Sequence, residues 1–221
     1  MSIANPTERV RAALPRLKVF PLPPAVLFPS IAMPLHIFEP RYRALVRDAL
    51  AGDGVLALAG VEDGALDGEG RPVLRSLACA GVIQWHEPLP GGRFNLVLEG
   101  RLRVRLLSEH PQEGLYREVS AEPVEEVHAV LPGETPVRQA LMELATLLPR
   151  EVAQVLVHEG AQARGGALAD RVAAAVVADP ERRRELFEQL SPGVRLEAVM
   201  EDLSEVLAQL RTRARPVGLP N

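Results

Sequence analysis

Between Val19 and Phe38 the chain reads VFPLPPAVLFPSIAMPLHIF, a stretch without a Lys, Arg, Asp or Glu. Its length suits a helix crossing a bilayer, which needs about 20 apolar residues. The prolines at 21, 23, 24, 29 and 34 rule that helix out. Each removes a backbone donor and collides with the preceding turn, at about 3 kcal/mol inside a helix. Proline-free runs such as Ala25–Phe28 are also too short for the apolar core of a secretory signal, about 7 to 15 residues. Proline pushes its predecessor toward extended geometry and is tolerated at strand ends, edges and bulges. The stretch therefore reads as strand, bend and strand entering a β barrel.

With 47% hydrophobic and 24% charged residues, the chain has the composition of an ordinary globular protein of one or two domains. Its 221 residues are enough to bury about 70% of the unfolded surface. The single cysteine, Cys79, excludes an internal disulfide and a multi-thiolate metal site. Together with the missing signal sequence it points to a reducing, cytoplasmic location. The net charge of −4 is uneven, positive over the first fifty residues and most negative after residue 110. That balance argues against nucleic acid, which binds basic surfaces. Lys18 is the only lysine and sits in RLKVF with no glycine near it, so no Walker-type nucleotide site exists.

Along the chain, EPRYRALVRDALAG predicts a helix with Pro40 at its first position, Glu39 at the cap and Gly52 past its end. Its apolar face is Tyr42, Leu45, Val46, Ala49 and Leu50. VLALA (Val55–Ala59) predicts a short buried strand, GVEDGALDGEGRP a mobile acidic loop, and LACAGVIQWHE a strand that turns at Pro90–Gly92 into RFNLVLEG. In RLRVRLL strict alternation sets Leu102, Val104 and Leu106 on one side and Arg101, Arg103 and Arg105 on a basic outer stripe. YREVSAEPVEE supplies one more strand, ending at Pro123. From Thr135 the period becomes helical, and Thr135-Pro136, Asp179-Pro180 and Ser191-Pro192 each read as a cap before proline. Two further helices are expected in EVAQVLVHE and ALADRVAAAVVA. The fold class is α+β: a β barrel over residues 10–125, then a helical bundle over 133–214, joined near LPGETP.

VFPLPPAVLFPSIAMPLHIFEPRYRALVRDAL, GVIQWHEPLPGGRFNLVLEGRLRVRLL and YREVSAEPV, in that order, closely resemble the amino-terminal substrate-binding domain of Lon proteases, particularly its stand-alone bacterial members. ADPERRRELFEQLSPGVRLEAVMEDL resembles the helical segment that follows in that family, so the likeness runs from about Leu17 to about Leu210. It implies a PUA-like barrel for the β part. Full-length Lon enzymes add an ATPase module and a Ser-Lys peptidase domain, and this chain has neither the length nor the lysines for them. The resemblance thus implies a recognition module that is not an enzyme and takes no cofactor, its partner being a polypeptide client or a protease.

HIFEPRYR brings together His36, Glu39, Arg41, Tyr42 and Arg43, which read as a polar rim beside apolar Leu35 and Phe38, fit to grip exposed polypeptide. The competing reading of the same residues is a strand-to-helix corner that serves folding. His36 and Glu39 lack a third ligand for zinc, and Glu62, Asp63, Asp67 and Glu69 lack the ligand order of a calcium loop, so no metal is expected. Cys79 reads as a buried strand residue, no serine sits in a G-x-S-x-G turn, and no catalytic residue is nominated. Trp85 and Phe94 are expected to face each other across the hairpin. The alternative function, RNA binding by the PUA-like part, rests on the arginine stripe at 101–105.

Overall fold

The computed structural model describes residues 5–126 and 134–214. The chain divides into two compact units, Met1–Glu125 and Glu126–Asn221. In the first, α1 (Pro6–Ala13) starts on a capping box that the sequence reading missed: the Asn5 carboxamide accepts from the Thr7 N–H at 3.0 Å, and Glu8 reaches back to the Asn5 N–H. Strands β1 (Leu17–Pro21) and β2 (Ala32–Ile37) are the two extended pieces expected between the prolines. Next come α2 (Pro40–Ala51), which has Pro40 in its first turn, Glu39 at its cap and Gly52 at its end, and then β3 (Val55–Leu66) and β4 (Pro72–Leu89). After a tight turn at Pro90–Gly92, β5 (Arg93–Glu109) and β6 (Arg117–Pro123) complete a sheet of order β2-β5-β4-β3-β1-β6. β1 runs parallel to β3 and the other pairs are antiparallel. β6 also pairs with β5, so the pairing ladder returns on itself and leaves β2 at its end.

The core follows the period of two. Val55, Ala57 and Ala59 of β3 face Ala78, Ala80 and Val82 of β4, and Val10 and Leu14 close over them from the α1 segment. The helix that covers this side begins at Pro6 and buries Val10. Tyr42, Leu45, Val46 and Ala49 of α2 are buried and Leu50 partly so.

Several expectations are corrected here. The acidic loop is mostly sheet: β3 continues to Leu66, and Arg75 meets Glu62 at 3.1 Å and Asp63 at 3.5 Å. In the turn that remains, Asp67 accepts from the Glu69 and Arg71 N–H groups and from the Arg71 guanidinium, which holds its carboxyl below the usual carboxylate range. The arginine stripe is not a uniformly solvated basic face. Arg103 is 4% exposed, Arg101 pairs with Glu99 at 2.6 Å, and Arg105 lies 3.7 Å from Glu122. Alternation marks two faces of a strand but not which one meets water, and both are covered here, since Ala78, Cys79 and Ala80 of neighbouring β4 are all buried. Trp85 pairs with Val97, whereas Phe94 lies against Pro88 and Ile37.

In the second unit are α3 (Thr135–Thr146), α4 (Arg150–Gln162), α5 (Gly165–Val176), α6 (Pro180–Glu188) and α7 (Pro192–Ala214). Of the apolar faces that the helical period predicts, Val137, Ala140, Leu141 and Leu144 of α3 and Leu196, Val199, Leu203 and Leu207 of α7 are buried, whereas Leu148, Met200, Val206 and Leu210 are only partly so. Of the three caps, Asp179 behaves as expected, accepting from the Glu181 and Arg182 N–H groups. Thr135 instead lies inside α3, whose cap is Glu134, and the Ser191 hydroxyl is buried without a partner among the described residues. The expected bundle start at 133 and the first part of LPGETP fall outside the described residues.

Candidate functional site

β2 is the edge of the sheet, and its chemistry follows from register. The Gly100 N–H donates to the Ile31 carbonyl at 3.0 Å, one step before the Ala32–Glu99 pair. Hydrogen-bonded and open pairs alternate in an antiparallel ladder, so Met33, Leu35 and Ile37 bond to β5 while the backbone of Ala32, Pro34 and His36 faces the free edge. Pro34 thus lacks its N–H where a sheet can spare it, and its ring interrupts a row of donors that would invite indiscriminate pairing.

The side chains divide the same way. Ile37 is buried and Met33 and Leu35 are half-buried, whereas Ala32, Pro34 and His36 are exposed. Across the strands Pro34 lies beside Val97 and Val97 beside Trp85; His36 lies beside Asn95 and Asn95 beside Glu87. His36 Nδ1 and Asn95 Oδ1 are 2.7 Å apart, and Asn95 Nδ2 donates to Glu87 Oε2 at 3.4 Å. Phe38 stacks on the His36 ring with centroids 6.1 Å apart. The two aromatic groups of this face are unusually open for their size, Phe38 at 61% and Trp85 at 51% exposure. The result is an outer face with apolar side chains at both ends and a short polar row between them.

Leu35, His36, Phe38, Glu39, Arg41 and Tyr42 are not gathered on one surface. His36, Phe38 and Arg41 are exposed, and Glu39 pairs with Arg41 at 2.8 Å. Leu35 lies on the inner side of β2 from His36. Tyr42 is 8% exposed, packs edge-on against Phe20 at 4.4 Å and donates its hydroxyl to the Pro21 carbonyl at 3.3 Å. Burial accordingly raises its hydroxyl pKa. Pro34, Trp85 and Val97 were missed as members of this face. Counting outward from the Pro90–Gly92 turn, where Leu89 meets Arg93, reaches the pair Trp85–Val97 and could have found two of them.

Elsewhere the polar clusters are internal. His110 Nε2 lies 3.1 Å from the Ser120 hydroxyl, but the same nitrogen is 2.9 Å from the Pro15 carbonyl. A carbonyl oxygen only accepts, so Nε2 carries the proton and is not the base of a Ser-His pair. Cys79 is buried, and among the described residues no group of three or more His, Cys, Asp or Glu could hold a metal. No helix among them is long and apolar enough to cross a membrane.

Comparison with known proteins agrees with this architecture. Lon proteases of Solibacter usitatus and Heliobacterium modesticaldum are 26% identical over 212 residues and 23% over 205, matching 92% and 89% of this chain. The chain spans about a quarter of the length of these relatives, 26% and 25%. Among solved structures, the N-terminal domain of Mycobacterium avium complex Lon protease superposes with a TM-score of 0.67 at 18% identity, covering 86% of this chain and 98% of that one. A Lon N-terminal domain protein from Xanthomonas campestris gives 0.60 at 23% identity, with 84% and 97% covered. Residues 16–205 match the model of the ATP-dependent protease La (LON) substrate-binding domain, and the chain belongs to that family.

Proposed function

We propose that this protein recognises polypeptide, without enzymatic activity of its own, by burying exposed apolar segments of a client on the outer face of β2, β5 and β4. The first unit is read as a PUA-like barrel, because its pairing ladder returns from β6 to β5 and leaves β2 free as an edge. The client is an unfolded or tagged chain, handled as a substrate or passed to a protease, in the cytoplasm.

The observation that carries this reading is the exposure of Phe38 and Trp85 on one sheet face, whereas the other Phe and Tyr side chains are buried or half-buried. Folded surfaces seldom leave two large aromatic groups so open unless a partner covers them. The edge of β2 adds backbone groups at Ala32 and His36 that an extended chain can meet. RNA recognition lost its support with the arginine stripe, whose members are buried or paired.

Trp85 is the only tryptophan, so its emission reports on this face alone. Titration with a reduced, alkylated unfolded protein is expected to shift that emission saturably, with or without ATP. By anisotropy of a labelled client, Phe38→Ser and Trp85→Ser should each weaken binding about tenfold or more, the range of aromatic anchors. Stability should stay within about 0.5 kcal/mol of wild type, as for other surface changes. Wild-type affinity in both variants would place the binding surface elsewhere.

A further inference from the structure

The outer face ends at a corner where α2 meets the β4–β5 turn, and charge there is one-sided. One step past the Ile37–Phe94 pair, the register sets Phe38 opposite Arg93, which shares its face with Asn95 and Val97. A Cβ placed on Gly92 would lie 4.0 Å from both Arg43 Nη1 and Arg47 Nη2, so these guanidinium groups converge on the turn. Arg43 donates to the Gly91 carbonyl, and Arg93 Nε donates to the Pro90 carbonyl at 3.1 Å. None of the three has a carboxylate partner among the described residues. In the same unit Arg16, Arg41, Arg71, Arg75, Arg101 and Arg117 each meet at least one. Arg43 Nε is also buried with no hydrogen-bond partner, a donor still lacking its acceptor.

We infer that the segment bound on this face is an extended polypeptide whose apolar residues, over Pro34, Val97 and Trp85, are followed by acidic side chains over Arg93, Arg43 and Arg47. This rests on the polypeptide-binding reading of the face and adds a polarity to it. From Pro34 to Phe38 is four steps of strand, about 13 Å at 3.3 Å per residue. The acidic residues therefore follow the apolar anchor by about four positions in an extended client. Three cations spread over a turn match several carboxylates better than one chain terminus. Glu87 and Glu99, on the same face, repel a continuous phosphate backbone, whereas a peptide carries its charge only where the arginines lie.

The test uses the full chain and three labelled peptides that share one apolar half and end in Asp, Asn or Lys runs. The Asp-tailed peptide should bind about tenfold more tightly than the Asn-tailed one, the sum expected of a few exposed ion pairs. Its advantage should shrink as salt rises from about 50 mM to about 500 mM. The double variant R47Q/R93Q, which leaves Arg43 on its Gly91 bond, should abolish that advantage and leave the Asn-tailed affinity unchanged. Equal binding of Asp and Lys tails, or an equal loss for all three peptides in the variant, overturns the inference while leaving the polypeptide reading in place. Displacement of the peptide by a uridine oligomer that binds more tightly overturns it in favour of nucleic acid. Absence of binding by every peptide, with Trp85→Ser indistinguishable from wild type, overturns both.

Discussion

Phe38 and Tyr42 are four residues apart and belong to different parts of the physics. The Phe38 ring spends most of its surface in water, against one face of His36, whereas Tyr42 fills the space beside Phe20 beneath α2. Removing a buried aromatic side chain loses its transfer energy and leaves a cavity, at about 3 to 5 kcal/mol. Tyr42→Ala should therefore lower the unfolding free energy from urea titration by an amount in that range, and the midpoint with it, while Tyr42→Phe, which gives up only the 3.3 Å bond to the Pro21 carbonyl, should cost about 1 kcal/mol. Phe38→Ala should leave the midpoint nearly in place. A collapse of stability in Phe38→Ala would make this corner structural and remove it from the recognition face.

At the scale of the element, Glu134 shows how one carboxylate organises two helices of the second unit. Glu134 stands at the N-cap position of α3, and its carboxylate accepts from the Arg138 guanidinium at 2.6 Å and from the Gly165 N–H at 2.6 Å, which ties the start of α3 to the start of α5. The Arg138 bond first, and the Gly165 bond after it, hold its carboxyl below the ordinary glutamate range despite partial burial. A depressed folded pKa stabilises above the unfolded value, about 4.3 for glutamate, and that contribution is lost as pH falls through the lower folded value. Glu134→Gln should thus cost about 1 kcal/mol at neutral pH, modest because the site is partly solvated, with the difference closing in acid. A gap that stays constant from pH 7 to pH 3 would show that the charge is irrelevant. The sequence disclosed those helices well, because caps, prolines and the 3.6-residue period are local signals, and α2 was legible to its first residue. It disclosed strand lengths poorly: β3 and β4 run on past their apolar segments because Arg75 neutralises Glu62 and Asp63 across the pair, a partnership no local pattern announces. Gly100 shows the same limit. A Cβ there would meet the Phe28 carbonyl at 2.3 Å and Cys79 Sγ at 2.9 Å, yet in sequence it is only the end of LVLEG. The proposed recognition face was half legible for this reason, since Phe38 and His36 are read along one stretch of chain while Trp85 and Val97 join them only through cross-strand register.

At the scale of the whole molecule, the passage between the two units is short. The Val124 N–H still donates to the Arg103 carbonyl at 3.0 Å in the first unit, while Glu126 already belongs to the second, where its carboxylate pairs with Arg195. Arg195 is fully buried. It also meets Asp170 Oδ1 at 3.0 Å and donates to the Gln189 carbonyl, and Gly166 leaves room for it, since a Cβ there would lie within contact of both Arg195 and Glu126. A buried guanidinium is tolerated only while its charge and donors are matched, and losing a charged hydrogen-bond partner costs about 1.5 to 3 kcal/mol. If the two units fold independently, a cut at their boundary leaves each of them folded. A fragment ending at Glu125 should keep a β-rich circular dichroism spectrum and melt cooperatively. A helical fragment beginning at Glu126 should be more stable than one beginning at Glu134 by about that same 1.5 to 3 kcal/mol, because only the longer one keeps Glu126 beside Asp170 as a carboxylate partner of Arg195. Glu126→Gln in the full chain should reproduce the loss in the helical unit and leave the β-rich transition where it was. An unfolded Glu125 fragment, or a Glu126→Gln variant that lowers both transitions equally, would mean that the two units are one cooperative body.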